Sequence, residues 1–366
     1  MTKLQDLYAQ GGQSPWLDNL RRDWIQGGEL AEWVARGVRG VTSNPSIFQK
    51  AMTGQAVYDD QFKELIATGA SVEDIFWDMA ITDIESATSI LRPVFDDSDG
   101  LDGFVSIEVA PSLARDTGGT VASARQLHAR IDEPNLYVKI PGTAEGVPAI
   151  EQVIADGKSV NVTLLFGIER YGEVIEAYLA GLEAHDGALE SISSVASFFV
   201  SRVDAEIDKR LDAIGTPEAV ALKGKAAVAN AQLAYELFLE RFSGPRWEAL
   251  AARGARVQRP LWASTSTKNP SYPKTLYVDT LIAPDTVNTM PEGTLDAFDA
   301  EGTVARTADA DLPGAHQVLT DLAAVGIDID DVTALLEDEG VASFTKAFDE
   351  LISSLQAKAS DLSSAG

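Results

Sequence analysis

One lysine stands out in this sequence for the chemistry that its position would allow. Lys139 lies in the segment Leu136–Ile140, where it alternates with apolar residues in the period-two pattern of a β-strand. That alternation predicts that Lys139 shares its face of the strand with Tyr137 and is surrounded by apolar neighbours. Burying an ammonium group is costly, which favours the neutral amine. A neutral lysine amine is a nucleophile toward ketones and aldehydes, so the segment predicts Schiff-base chemistry.

Polar residues on two other predicted strands also lie on the face opposite the apolar residues. Glu108 lies on Phe104–Val109, and Asn161 and Thr163 lie on Val160–Leu164, each opposite the apolar face of its strand and near the carboxyl end. Their convergence indicates a functional site. Two structural alternatives stay open: a buried ion pair between Lys139 and Glu108, which does not exclude catalysis, and a satisfied polar layer inside a barrel.

The elements that would position these residues alternate along the chain, with short β-rich segments between longer helical ones. Such alternation is typical of parallel strands joined by crossover helices, and about 250 residues suffice for a decorated barrel of this kind. We therefore predict an α/β fold, a single (β/α)8 TIM barrel with additional N- and C-terminal helices. Its active site would lie at the carboxyl ends of the strands. The predicted strands are Pro15–Asp18, Val38–Ser43, Phe104–Val109, Leu136–Ile140, Val160–Leu164, Ile192–Ser197, Arg259–Ser264 and Thr286–Thr289.

We interpret residues 1–366 as one domain, with barrel strands between about 15 and 290 and a helical C-terminal extension over 294–366, because no linker or composition break divides the chain. Periodic stretches predict the connecting helices, and the fifth of these stretches is broken near Thr216–Pro217. These stretches are Gly54–Leu91 (two helices), Asp116–Arg130, Ala144–Ala155, Gly167–Ala184, Phe198–Phe242 and the tail from Thr294 to Leu362.

Composition narrows the chemistry further. The chain has no cysteine, which excludes thiolate nucleophiles and Cys-ligated metals, and its histidines His128, His185 and His316 lack metal-ligand spacing. Its 29 basic and 56 acidic side chains give a net charge of −27, which is unfavourable for nucleic-acid binding. A phosphate site would need a local cluster of cations. With neither a signal peptide nor a long apolar run in view, we expect a cytoplasmic protein without membrane contact.

Five blocks, in order along the chain, resemble motifs of the transaldolase family of class I aldolases, in its longer bacterial type. Together with flanking matches they span Trp16 to Asn288. The blocks are Tyr137–Thr143, which resembles the Schiff-base strand, Val41–Ser46 (second strand), Ser106–Val109 (third strand), Asn161–Phe166 (fifth strand) and Ser197–Arg202.

This resemblance implies a mechanism without metal or organic cofactor, since the iminium ion is the electron sink. Lys139 would form the imine, and Glu108 would move protons through a water held by Thr163. Asp18, similar to the family's first-strand aspartate, would take the hydroxyl proton as the carbon–carbon bond breaks. The implied reaction, in the non-oxidative pentose phosphate pathway, transfers a dihydroxyacetone unit from sedoheptulose 7-phosphate to glyceraldehyde 3-phosphate. Its products are erythrose 4-phosphate and fructose 6-phosphate.

The resemblance also implies the substrate contacts. Asn44, Asn161, Ser197 and Phe199 would surround the dihydroxyacetone fragment. We expect sugar-phosphate substrates as partners, no nucleic acid and no membrane, and a chain that is a monomer or a homodimer.

The phosphate end departs from the family pattern. Arg202 matches the family arginine, and Ser264 matches the serine of the seventh-strand block. Ser266, however, stands where a second arginine is expected, and Lys268 follows two residues later. We predict that Lys268 supplies the missing charge, as a point charge rather than a bidentate fork.

Two other functions stay open. A fructose-6-phosphate aldolase would share the lysine strand, although such enzymes look much shorter and usually lack the glutamate matched by Glu108. A non-covalent sugar-phosphate-binding or isomerase barrel would use Lys139 only for its charge.

Overall fold

Eight parallel strands form a closed barrel in chain order, each strand pairing with its sequence neighbours and β1 with β8. The structure is a computed structural model that describes residues 1–364. All eight predicted strands are confirmed, and the fold is a (β/α)8 barrel with additional helices at both ends. The strands are β1 Gln13–Leu17, β2 Gly40–Thr42, β3 Phe104–Glu108, β4 Leu136–Pro141, β5 Val160–Leu165, β6 Ser194–Phe199, β7 Arg259–Ala263 and β8 Thr286–Met290.

The helices surround this barrel, and their apolar faces pack on the outward-facing side chains of the strands in one continuous core. Two short 3₁₀ turns, Ala56–Tyr58 and Pro111–Leu113, accompany them. The helices are α1 Lys3–Ala9, α2 Arg22–Gly27, α3 Glu29–Arg36, α4 Pro45–Met52, α5 Asp59–Ala67, α6 Val72–Asp97, α7 Thr117–Arg130, α8 Gly146–Ala155, α9 Ile168–Ala184, α10 Ser201–Ile214, α11 Pro217–Val220, α12 Ala226–Arg241, α13 Gly244–Ala251, α14 Leu276–Asp279, α15 Glu292–Glu301, α16 Leu312–Ala324 and α17 Ile329–Ser364.

Two local predictions at the carboxyl ends of strands were wrong. The helical stretch predicted from Phe198 begins only at Ser201, because Phe198 and Phe199 pair with β7 as part of β6. In β5 the predicted alternation is interrupted at Leu164, where φ is 59° and the register shifts. A bulge of this kind bends a strand and re-aims the side chains that follow.

Helix α4 begins directly after β2 and carries residues into the mouth of the barrel. Asn44 caps it, since its side-chain oxygen accepts a hydrogen bond from the Ile47 N–H at 3.0 Å, and Pro45 occupies the first helical position. Both features are typical helix starts. The Asn-Pro-Ser sequence therefore places α4 at the end of β2.

The tail folds as three helices without a strand through residue 364, as predicted, and the last of them returns to the barrel mouth. A Cβ at Gly340 would come within 2.9 Å of Leu164 Cδ2 and 3.7 Å of an Arg202 terminal nitrogen, so α17 passes close to both. Residues 365–366 of the predicted extension lie outside the described residues. None of the helices within residues 1–364 is long and apolar enough to cross a membrane.

Candidate active site

A cleft of about 520 Å³ opens at the carboxyl ends of the barrel strands. Parallel strands bring their carboxyl ends together, so residues that are far apart in sequence share its wall. Nine of the predicted site residues line it: Asp18, Asn44, Lys139, Thr163, Ser197, Phe199, Arg202, Ser264 and Lys268. The other two, Glu108 and Asn161, do not line the cleft; each hydrogen-bonds a residue that does.

Lys139 projects from β4 into the bottom of the cleft. Its ammonium group donates to the Ser43 carbonyl oxygen at 2.9 Å and to Glu108 Oε2 at 3.2 Å. Both side chains of the ion pair are buried, at 6% and 5% exposure. Charges held this far from water are costly, so each partner depends on the other for compensation.

Two carboxyl groups beside this lysine have raised pKa values. For Glu108 burial is the main cause and the nearby Asp18 adds to it, whereas Lys139 opposes the rise. For Asp18 burial again dominates, opposed by the Thr42 hydroxyl and Lys139 and reinforced by Glu292. A carboxyl group with a raised pKa can accept and return protons nearer neutral pH than an ordinary one.

The Thr163 hydroxyl lies at the wall of the cleft, buried and without a hydrogen-bond partner among the residues of the structure. Buried polar atoms nearly always have a partner, so an unmet one at a cleft wall indicates a ligand or water position. Two residues earlier on the same strand, Asn161 accepts a hydrogen bond from the Ser197 hydroxyl at 2.7 Å and donates to the Ser106 hydroxyl at 3.1 Å. The bond to Ser106 orients the Asn161 amide, and the amide oxygen in turn holds the Ser197 hydroxyl in place.

Arg202 lies against an aromatic ring at the wall of the cleft. Its guanidinium lies 5.2 Å from the centre of the Phe199 ring. Within residues 1–364 its guanidinium has no hydrogen-bond or ion-pair partner. Solvent loss lowers its pKa, and the more distant charges of Glu339 and Asp18 oppose that effect. Because a guanidinium carries five donors, an unpartnered one in a cleft is prepared for an anion.

The seventh-strand loop completes this end of the cleft. The Ser264 backbone adopts the left-handed region with φ 55°, and its hydroxyl lies 2.9 Å from that of Ser201 at the start of α10. Lys268 donates to the Ser266 hydroxyl at 2.9 Å. Its pKa is lowered by solvent loss and then by the charge of Arg202. Thus the serine at the expected arginine position orients the lysine that follows it.

The sequence model of the transaldolase/fructose-6-phosphate aldolase family matches residues 15–355. The chain belongs to this family. Three relatives extend the match along nearly the whole chain. Proteins named transaldolase from Frankia alni and Thermobifida fusca are 51% and 52% identical, over 96% and 95% of this chain and 96% of each relative. A protein named transaldolase 1 from Streptomyces avermitilis is 53% identical over 96% of this chain and 95% of its own length.

Several residues of this family member line the cleft without having been predicted from sequence. Thr42 donates to Asp18 at 2.8 Å and lies 2.6 Å from the Thr289 hydroxyl. Thr42 belongs to the Asn-Pro-Ser block, so its position was the available signal. Phe344 reaches the cleft from α17, for which no local signal exists. Arg21, Lys50 and Glu292 also line it.

The histidines lie away from this cleft. His128 contacts the Ser159 carbonyl oxygen at 3.0 Å, and burial lowers its pKa to about 4. His185 and His316 contact the Ala155 carbonyl and a surface glutamate. Over the described part of the chain, no group of three or more His, Asp or Glu side chains could hold a metal ion.

Proposed function

We propose that this chain catalyses the transaldolase reaction, moving a dihydroxyacetone unit from sedoheptulose 7-phosphate to glyceraldehyde 3-phosphate through a Schiff base on Lys139. It would thus be a transferase of aldehyde and ketone residues in the non-oxidative pentose phosphate pathway. The observation that carries this function is the buried Lys139–Glu108 pair at the bottom of a cleft whose other end holds an unpartnered Arg202. The first group fits covalent chemistry at a carbonyl, and the second fits a phosphate.

Imine formation uses the buried pair. Proton transfer from Lys139 to Glu108 leaves two neutral groups, which burial favours, and the free amine then attacks the ketose carbonyl carbon. The carbinolamine oxygen must gain a proton and leave as water. Glu108 would supply that proton through a water held by the unpartnered Thr163 hydroxyl.

Carbon–carbon cleavage then needs a base for the hydroxyl next to the breaking bond. Asp18 lines the same cleft, and its raised pKa suits a group that takes this proton and later returns it. The bonding electrons move into the iminium, giving an enamine on Lys139 and a released aldose phosphate. The enamine attacks the acceptor aldehyde, Asp18 protonates the new alkoxide, and hydrolysis frees the lysine.

The intermediate must stay bound between the two half-reactions. Asn44 and Ser197 line the cleft beside Lys139, and Asn161 holds the Ser197 hydroxyl at 2.7 Å. The Asn44 oxygen already caps α4, so its NH₂ group is available to a hydroxyl of the fragment. Phe199 would cover one side of the fragment and position Arg202.

The phosphate end combines one fork-shaped donor with one point charge. Arg202 can grip two phosphate oxygens, whereas Lys268, oriented by Ser266, contributes a single charge. The Ser264 hydroxyl adds a neutral donor at the same wall. This arrangement would replace the pair of arginines that the resemblance leads one to expect.

Borohydride reduction in the presence of fructose 6-phosphate tests the covalent step. We expect mass spectrometry to find a reduced three-carbon adduct on the peptide that contains Lys139. Absence of any adduct would favour a non-covalent barrel, and an adduct on another lysine would overturn the assignment. Release of free dihydroxyacetone as fast as transfer to an acceptor would instead indicate an aldolase.

We also propose that the protein works in the cytoplasm as a monomer or homodimer, with sugar phosphates as its only partners. Sedimentation analysis of the purified chain measures the oligomeric state. A stable tetramer would contradict this part.

A further inference from the structure

Five basic side chains line the cleft, and they differ in their partners. Arg21 pairs with Asp23 at 2.6 Å, and Lys139 pairs with Glu108 at 3.2 Å. Among the described residues, the remaining three have no carboxylate within 4.0 Å: Lys50, Arg202 and Lys268. In a chain with 56 acidic side chains and a net charge of −27, unpaired cations that share one cleft call for an explanation.

Lys50 comes from a different element than the other two. It lies in the last turn of α4, whereas Arg202 lies in the first turn of α10 and Lys268 in the loop after β7. All three side chains line the same cleft, and the charges of Arg202 and Lys50 both act on the Lys268 ammonium group, opposed by the charge of Asp18. The three cations therefore form one cluster around Lys268.

The backbone that carries Lys50 is held in place from two sides. Asn44 caps the start of α4, and Gln49, the neighbour of Lys50, donates to Glu350 of α17 at 2.8 Å. These contacts place the last turn of α4 at the cleft, on an element that is not a loop. The exposed Lys50 side chain can then swing toward a ligand without moving its helix.

Like charges that share a cleft and lack a direct ion-pair partner repel one another, and a dianion between them removes that repulsion. A phosphate monoester carries close to two negative charges at neutral pH and accepts hydrogen bonds on three oxygens. Arg202 and Lys268 alone could neutralise it. A third cation on the opposite element would close the site around the phosphate from the α4 side.

We propose that Lys50 is a phosphate-binding residue of this cleft, which together with Lys268 compensates for the serine at position 266. This proposal rests on the proposed function, since it takes the ligand to be the phosphate group of the sugar substrates. It assigns a specificity role to a helix residue outside every block that resembles the family.

The first test measures binding of inorganic phosphate to the full chain by calorimetry, which needs no turnover. We expect Lys50→Ala to weaken phosphate binding about fivefold and Lys50→Glu about tenfold or more, since an exposed ion pair contributes up to ~1 kcal/mol. Lys50→Arg should retain most of the affinity. Lys63→Ala, an exposed lysine on α5 away from the cleft, is the matched control and should bind like the wild type.

Unchanged phosphate affinity in Lys50→Ala and Lys50→Glu overturns the proposal, whatever the enzyme activity. The second readout is the ratio of kcat/KM for fructose 6-phosphate to that for fructose. We expect Lys50→Ala to lower this ratio about fivefold, mainly through KM. An equal loss with both ketoses would show that Lys50 supports packing instead. If the wild type binds phosphate but forms no borohydride adduct, the proposed function fails while the site itself stands.

Discussion

At the amino end of the barrel, Asp102 is surrounded by donors: Arg39 at 2.8 Å, Arg259 at 3.1 Å and the Ser14 hydroxyl at 2.7 Å. At the carboxyl end, Glu108 has one ion-pair partner, and Arg202 has none among the residues described. Both ends hold charges that the barrel shields from water. The two ends differ in how many of the hydrogen bonds that these charged groups can form are made by other residues of the protein.

The pKa values follow this difference. Burial opposes ionisation of Asp102, but the charges of Arg259 and Arg39 outweigh it and lower the pKa below the ordinary 3.8. Burial raises the pKa values of Asp18 and Glu108 because their partners are too few to compensate. A satisfied cluster stabilises the fold, whereas an unsatisfied one is available for protons and ligands. The following predictions test this contrast, from the largest expected effect to the smallest.

Replacing the nucleophile should have the largest effect. We expect Lys139→Ala and Lys139→Arg to lower the transfer rate by on the order of 10⁴-fold or more, because no other group can form the imine. Borohydride trapping should vanish, while circular dichroism stays near that of the wild type. The loss of stability should be limited, because Glu108, whose pKa burial raises, can take up a proton when its partner is removed. A reduced adduct that persists on another lysine would show that the carboxyl end was misassigned.

At the amino end the main loss should be in stability. Asp102→Asn leaves Arg259 buried without its counter-charge, so we expect the free energy of unfolding to fall by about 3–5 kcal/mol in denaturant titrations at neutral pH. Because the folded pKa of Asp102 lies below 3.8, its contribution is full above that pH. It should shrink as the pH falls through the folded value.

The control for this comparison is Asp96→Asn, which removes an exposed i,i+4 partner of Arg92. Its effect on the free energy of unfolding should be too small to resolve in the same titrations, because water and salt screen an exposed ion pair. If Asp96→Asn lowered the free energy of unfolding as much as Asp102→Asn, burial of the amino-end cluster would not explain the instability of Asp102→Asn. Catalytic constants of Asp102→Asn measured on the folded fraction should move far less than those of the lysine variants.

The phosphate end should show intermediate effects. A charge-assisted hydrogen bond contributes roughly 1.5–3 kcal/mol. We therefore expect Lys268→Ala to lower kcat/KM for phosphorylated substrates on the order of ten- to a hundredfold, at ~1.4 kcal/mol per decade. Arg202→Ala should lose more, because its fork grips two oxygens. The loss with fructose should be much smaller in both variants. If Lys268→Ala lowered kcat/KM equally for phosphorylated substrates and for fructose, Lys268 would support the structure of the cleft and not bind the phosphate.

The smallest predicted effect concerns the pH profile. The Thr42 hydroxyl stabilises the ionised form of Asp18 and so lowers its pKa. Thr42→Val should therefore move the acidic limb of the kcat/KM profile to higher pH. Thr289→Val removes the partner of Thr42 but keeps its bond to Asp18, and it should leave the limb nearly in place. A downward shift in Thr42→Val would contradict the role of Asp18.

The sequence determined the barrel and most of the candidate site. Alternation along Leu136–Ile140 placed Lys139 on an interior face, and β4 carries it there. The short-period strand pattern and the order of the blocks are local properties, so they can be predicted without tertiary contacts. The same alternation placed Glu108 beside Lys139, where the ion pair lies.

Local patterns were less informative where strands end. Phe198 and Phe199 were predicted as helical because apolar residues at a strand-to-helix junction satisfy both periodicities. Pairing with β7 decides in favour of the strand. The bulge at Leu164 is likewise set by register against β6 and not by the residue itself.

Only the tertiary structure determined which distant groups share the cleft. Lys50 and Phe344 reach it from α4 and α17, and the approach of α17 depends on contacts such as Gln49 with Glu350. The tertiary structure also decided which charges are paired. Asp102 pairs with two arginines that barrel closure brings together, whereas Arg202 has no carboxylate in ion-pair range within residues 1–364. Burial and charge pairing are sums over the whole fold, so no single stretch of sequence encodes them.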